Sequence, residues 1–365
     1  MRVKIGRYLD DMGPTDARDG DRKIDNNMTD PSPPKPPTDK PTAPPPRRPA
    51  ADGSTRLGQL DTLMNESAWF PRVVPFFTYL VLLTLTSMVA EKIPATYPLF
   101  YSLQCGVVLW LLWRYRALLP ELTVSFHWLA IPTGIIVFLV WVWLGMVIEE
   151  WDQASQVGLG TFTSNYAQWS IDPSTALDRV SSTGEPLQFA DASSRAESVF
   201  IQMGLADHNA LAWFAFSLRL LGMSIVVPLF EELFIRSLLL RSFHSAKNTY
   251  IGFIQVAQDF PIIGDKLMGT KIAEEADKQP PMFEHEFKRV PLGAISVFGI
   301  AASSIIFMLS HAPRDYAACI FCGIAYCLCL YFTRHKGLGP VCWAHGITNA
   351  LIWIYTLHTD DWRFL

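Results

Sequence analysis

Six polar side chains sit within apolar runs of this sequence, at spacings that suit acid–base chemistry. Glu231, Glu232 and Arg236 fall in PLFEELFIR, flanked by SIVV and SLLL. On a helix Glu232 and Arg236 are four apart and share a face, so they can pair. Glu231 lies about 100° further round the axis and is left without that partner. Adjacent carboxylates in apolar surroundings repel, and a glutamate so tuned can take a proton from water. His311 closes the run from Leu292 and stands one turn after Phe307 in FMLSH. His345 and Asn349, four apart in HGITN, put two polar donors on one stripe of VCWAHGITNALIWIY. Each cluster has a plainer explanation: an ion pair locking two helices, an interfacial histidine, or a hydrogen bond between helices. Together they bring two Glu, one Arg, two His and one Asn onto three apolar segments.

Those segments have the length and composition of membrane spans. Of the 365 residues, the first 66 carry 22 of the 64 charged side chains and 11 of the 26 prolines. Charged residues make up about 14% of the remainder, against about 25% in soluble domains. Phe70–Ala90, Tyr97–Trp113, Phe126–Ile148, Ala210–Leu240, Leu292–Ser310, Tyr316–Phe332 and Leu338–Leu357 each approach or exceed the ~20 residues a bilayer core requires. The expected fold is all-α, a polytopic transmembrane bundle of seven spans, or eight if the longest stretch splits at Pro228. In such a bundle every buried ionisable group is costly and marks a candidate site.

The same pattern divides the chain. Residues 1–66, with PSPPKPPTDKPTAPPPRRP at their centre, are expected to be a disordered proline-rich tail, because they offer little apolar surface to offset ordering. The tail lacks the apolar core of a signal peptide. Residues 67–149 hold the N-terminal spans, 150–208 an acidic loop, and 209–358 the polar-bearing core, interrupted by a polar insert at 245–289 with an amphipathic piece near Tyr250–Ile263. Arg114, Arg116, Arg241, Lys247, Arg334 and Lys336 follow alternate spans, while Glu149–His208 has nine acidic residues against Arg179 and Arg195. Positive-inside then puts the N-terminus and the insert in the cytoplasm and the acidic loop outside. Straight spans in that arrangement place His311 near the outer end of its helix and His345 near the inner end of its own. The two meet only if a helix is tilted, short or broken near Pro313.

The net charge of −4 shows no basic excess, so nucleic acid is not an expected partner. The six cysteines lie in or beside apolar runs, where a free thiol behaves as a small apolar group. Cys319-x-x-Cys322 has ligand spacing but no second pair. Two His and two Glu could hold Zn²⁺ with a water, yet no compact HExxH-type motif is present, and the expectation is no cofactor.

EExxxR, FxxxH and HxxxN, in that order on successive membrane helices, make this sequence similar to the CAAX prenyl protease and bacteriocin-processing (CPBP, or Abi) intramembrane proteases. The motifs here are Glu231-Glu232-x-x-x-Arg236, Phe307-x-x-x-His311 and His345-x-x-x-Asn349, without substitution, and the likeness covers residues 205–358. The N-terminal spans and the ending IYTLHTDDWRF also look like the branch associated with bacterial exosortase systems.

The resemblance implies a glutamic, metal-independent endopeptidase of a bacterial inner membrane, acting on a membrane-associated protein or peptide, with a link to an exosortase-type sorting system. It implies that Glu231 and His311 activate a water, that His345 and Asn349 stabilise the oxyanion, and that Arg236 with Glu232 orients the glutamate helix. Two other classes compete: a non-catalytic scaffold or immunity protein of the same fold, and a proton-relay transporter. The latter expects an internal symmetry that the sequence lacks.

Overall fold

A computed structural model describes residues 56–92, 96–157, 217–359 and 364. The tail expected over residues 1–55 and the acidic loop from residue 158 lie outside the described residues. Helix is the only regular secondary structure among those described, as expected where lipid offers the backbone no other hydrogen-bond partner.

Helices occupy all seven apolar stretches. They are α2 (Phe70–Lys92), α3 (Tyr97–Arg114), α4 (Ala130–Ser155), α5 (217–242), α10 (Val297–Leu309), α11 (Tyr316–Thr333) and α12 (Gly339–Thr359). Phe70–Val89, Ala130–Ser155 and Pro313–Lys336 are by themselves long and apolar enough to cross a membrane. The outward-facing side chains of the bundle include Leu99, Trp110, Trp113, Trp128 and Trp143, the surface a lipid solvent favours.

Four expectations are corrected. The tail does not extend to residue 66: Arg56–Glu66 form a helix, α1, whose Met64 is buried and whose Asp61 accepts hydrogen bonds from Arg114 and Tyr115 at the end of α3. Leu60 and Met64, four apart, supply the apolar face, which packs on Leu111 and Tyr115. The acidic loop begins later than residue 150, because α4 runs on to Ser155 and Glu149 pairs with Arg314. The longest stretch is not split at Pro228; α5 passes through it. The span expected from Leu292 is only the 13 residues of α10, about 20 Å of helix. Gly293 holds a left-handed φ of +76° in a turn, and the Ser296 hydroxyl then accepts the Gly299 N–H as an N-cap, so the helix starts late.

Helix α5 is not uniform. Gly222–Val226 and Leu233–Leu239 are π-helical, and Val227–Glu232 between them is α-helical. Pro228 has no N–H to give the Ser224 carbonyl, so the ordinary ladder cannot pass this point and the turn widens. Gly346 of α12 packs against the same Ser224 carbonyl, an approach a side chain would block. Gly134 of α4 comes similarly close to Ala344 and Ile347, where a Cβ would lie 2.6 Å from the Ala344 carbonyl oxygen. Small residues thus bring α4, α5 and α12 together.

Hydrogen bonds sort the helix ends into two sets. At one end Arg72 binds Glu121, the Leu338 N–H donates to the Glu121 carbonyl, Lys336 donates to Phe126, and Arg241 donates to Phe287 and Val290. At the other end Arg314 meets Glu149, and the Tyr101 hydroxyl meets the Arg219 carbonyl. The polar insert belongs to the first end. It folds into α6 (Ala246–Gln258), α7 (Pro261–Leu267), α8 (Lys271–Asp277) and α9 (Met282–Arg289), with Ser245 and Thr270 as side-chain N-caps.

Candidate active site

Glu231, His311, His345 and Asn349 line one cavity of about 290 Å³ between α2, α3, α4, α5, α10, α11 and α12. Glu232 and Arg236 lie behind it and are fully buried. The short α10 resolves the question of depth. It ends at Leu309, the chain turns back through His311, and Pro313–Asp315 forms a single 3₁₀ turn before α11. His311 therefore hangs into the bundle. The ring of Phe307 lies 4.5 Å from that of His311 and 6.4 Å from that of His345, between the two histidines.

The two glutamates divide as their positions on α5 require. Glu232 faces α12, where its Oε1 is 2.8 Å from His345 Nδ1, and its Oε2 is 3.3 Å from Arg236 Nε. Glu231 turns toward the cavity, keeps 16% of its side chain exposed, and has its Oε2 3.7 Å from His345 Nε2. The Arg236 guanidinium lies over Phe307 and Tyr326, 5.1 and 5.5 Å from the ring centres. Glu232 supplies its counter-charge, and the two ring faces add cation–π attraction.

Hydrogen bonds assign the imidazole tautomers. His311 Nδ1 is 2.9 Å from the Phe307 carbonyl oxygen, which can only accept, so Nδ1 carries the proton. Its Nε2 is then the nitrogen with a lone pair to offer. His345 Nδ1 likewise donates to Glu232, which aims Nε2 toward Glu231. Asn349 donates one amide hydrogen to the Met223 carbonyl, 2.9 Å away in the first π turn of α5. A second hydrogen remains on that amide. The widened turn, which frees backbone carbonyls, thus fixes the Asn349 side chain.

Several lining residues carry no spacing signal in the sequence. Tyr326 is fully buried, packs 5.2 Å from the His345 ring and donates to Thr348, whose hydroxyl faces the Gly134 and Ala344 carbonyls. It holds α11 against the histidine helix. Arg219 and Asp315 also line the cavity, at the end away from the insert. As charges in or beside apolar runs they were detectable by the criterion that picked out the six. All six thiols are unbonded and buried, and Cys322 lines the cavity. Among the described residues no group of three or more His, Cys, Asp or Glu is placed to hold a metal ion.

A glutamate, two histidines and an amide thus meet around one cavity in an all-helical membrane bundle. Residues 272–351 match the family described as "Type II CAAX prenyl endopeptidase Rce1-like". That segment contains His311, His345 and Asn349; Glu231, Glu232 and Arg236 precede it. No curated protein and no solved structure matches the chain. The resemblance to CAAX-type proteases, a helical membrane fold, is therefore borne out by a family match over this segment. The exosortase-associated branch has no support from it.

Proposed function

We propose that this chain is an intramembrane endopeptidase that hydrolyses a peptide bond in a membrane-associated protein or peptide, using water activated by Glu231 and His311. The observation that carries this reading is the meeting of Glu231, His311, His345 and Asn349 on one cavity, from three segments up to 118 residues apart in sequence. Water held between the Glu231 carboxylate and His311 Nε2 would lose a proton as it attacks the carbonyl carbon, and the same pair would return it to the leaving amine. The tetrahedral oxyanion would be met by the remaining Asn349 N–H and by His345 Nε2 in its doubly protonated form. Glu232 and Arg236 take no direct part. They set the rotation of α5 and the tautomer of His345.

The substrate is proposed as a peptide presented within or at the bilayer; a prenylated C-terminus and a bacterial sorting signal are the two classes to try. The localisation proposed is a plasma membrane, the bacterial inner one, with a cytoplasmic N-terminus. The test is cleavage of such peptides by the full chain in liposomes. Glu231→Gln and His311→Ala, each shown to fold, are expected to lose cleavage by about 10²–10⁴-fold, while 1,10-phenanthroline leaves the unaltered chain active. Cleavage surviving either substitution sinks the mechanism, and loss on chelation points to zinc.

A further inference from the structure

The insert at 245–289 presents two unlike faces. On and beside α6 and α7 the outward side chains Tyr250, Phe253, Val256, Phe260, Ile262 and Met268 are between 43% and 77% exposed. Tyr250, Phe253 and Val256, three apart, form one stripe of α6, and Phe260 follows in the turn before α7. The flank of α6 at Gly252 and Gln255 is committed inward: Gly252 is buried, as is Thr249 beside the stripe, and Gln255 donates to the Ala276 carbonyl at 3.0 Å and accepts from the Met282 N–H at 2.9 Å. The rotation of α6 is therefore fixed, and its apolar stripe cannot turn away. Exposed charges are densest on and just after α8 and on α9, with Glu274, Glu275, Asp277, Lys278, Lys288 and Arg289; α6 and α7 carry fewer, at Lys247, Asp265 and Lys266.

We propose that this apolar face is a membrane-surface docking site whose partner is the interfacial zone of the bilayer that the bundle spans. The covalent structure favours lipid over any other occupant. Only residues 243–245 separate α5 from α6, and residues 290–296 separate α9 from α10. The insert is thus tethered at both ends to membrane helices and stays at the level of the headgroups. The Phe253 ring stacks 6.0 Å from Phe243 at the end of α5, and Phe283 lies 5.7 Å from Trp69, just before α2. The stripe therefore begins against the bundle and continues its apolar exterior along the membrane plane, as interfacial helices do. The insert has six basic and seven acidic residues, so its attraction is apolar and indifferent to lipid charge and to salt.

The test places an environment-sensitive dye on Phe253→Cys and on Ile262→Cys in the full chain, one copy per phosphatidylcholine nanodisc, with Glu275→Cys as the control. Docking gives blue-shifted emission at positions 253 and 262, quenching by doxyl-labelled lipid and resistance to aqueous iodide, unchanged by added salt; position 275 shows the reverse. Iodide quenching at positions 253 and 262 equal to that at 275 overturns the proposal. So does protection from iodide without doxyl quenching, which means that protein covers the face, either a second copy or the residues before 56. Should labelling at position 253 disturb the stacking on Phe243, Tyr250→Cys one turn earlier gives the same measurement.

Discussion

Glu231 and Glu232 are chemically identical neighbours in opposite situations, and their substitutions should separate accordingly. Glu232 holds His345 at 2.8 Å and faces Arg236, and all of it is buried. Replacing it with Ala leaves a buried guanidinium without its counter-charge. This should destabilise the chain by about 3–5 kcal/mol, the usual cost of breaking one side of a buried pair. Glu231→Gln keeps the shape and removes only the proton acceptor at the cavity, so thermal unfolding in detergent should be unchanged while cleavage is lost. If the two variants unfold alike, the division of labour is wrong. The motif spacing contained this division in part: i,i+4 geometry paired Glu232 with Arg236 and left Glu231 over. It could not show that the partner of Glu232 on α12 is His345, since that contact joins residues 113 apart.

At the scale of elements, one residue outside the six ties the helices that carry them. The Glu121 carboxylate, in the α3–α4 connection, accepts from Arg72 of α2 at 2.6 and 2.8 Å and from Ser237 of α5, the residue after Arg236. Its backbone carbonyl receives the Leu338 N–H immediately before α12. Burial alone would push the Glu121 pKa up, but the hydrogen bonds and charge of Arg72, with Ser237, bring its carboxyl below the usual carboxylate range. A group depressed in the folded state contributes stability above its unfolded value and loses it as pH falls through the folded one. The chain should therefore lose stability on acidification below the ordinary glutamate range, and Glu121→Gln should flatten that loss while lowering stability near neutrality. Unfolding temperatures across pH, in one detergent, test this; an unchanged acid limb in Glu121→Gln refutes it. Apolar length and composition made most of the helices legible. The π turns of α5 were not, because hydrophobic periodicity averages over several turns and only Pro228 marks the irregularity. Nor was the shortness of α10, which depends on the Gly293 turn and the Ser296 cap rather than on where the apolar run begins.

For the whole molecule, the two sets of helix ends differ in charge and in access to the cavity. Arg72, Arg114, Arg116, Arg241, Lys247, Arg334 and Lys336 gather at the end that carries the insert, while Glu149, paired with Arg314, lies at the other with Glu150, Asp152, Asp315 and Arg219. The cavity belongs to the second end: its lining includes Tyr101 near the start of α3, Arg219 near the start of α5, Ser310 to Asp315 between α10 and α11, and Ile352 late in α12. With the cytoplasmic N-terminus proposed above on the positive-inside rule, the cavity mouth would face away from the cytoplasm, and a substrate would offer its scissile bond in the outer half of the bilayer. Membrane-impermeant maleimide applied to intact cells should modify Ser310→Cys and Ser155→Cys but spare Lys247→Cys, and inside-out vesicles should reverse the pattern. Labelling of positions 310 and 247 from the same side would mean that the cavity and the insert share a face, contrary to the way the helix ends are hydrogen-bonded. Labelling of position 310 only from the cytoplasmic side, with position 247 on the other, would keep the fold, invert the molecule and move the scissile bond to the inner leaflet.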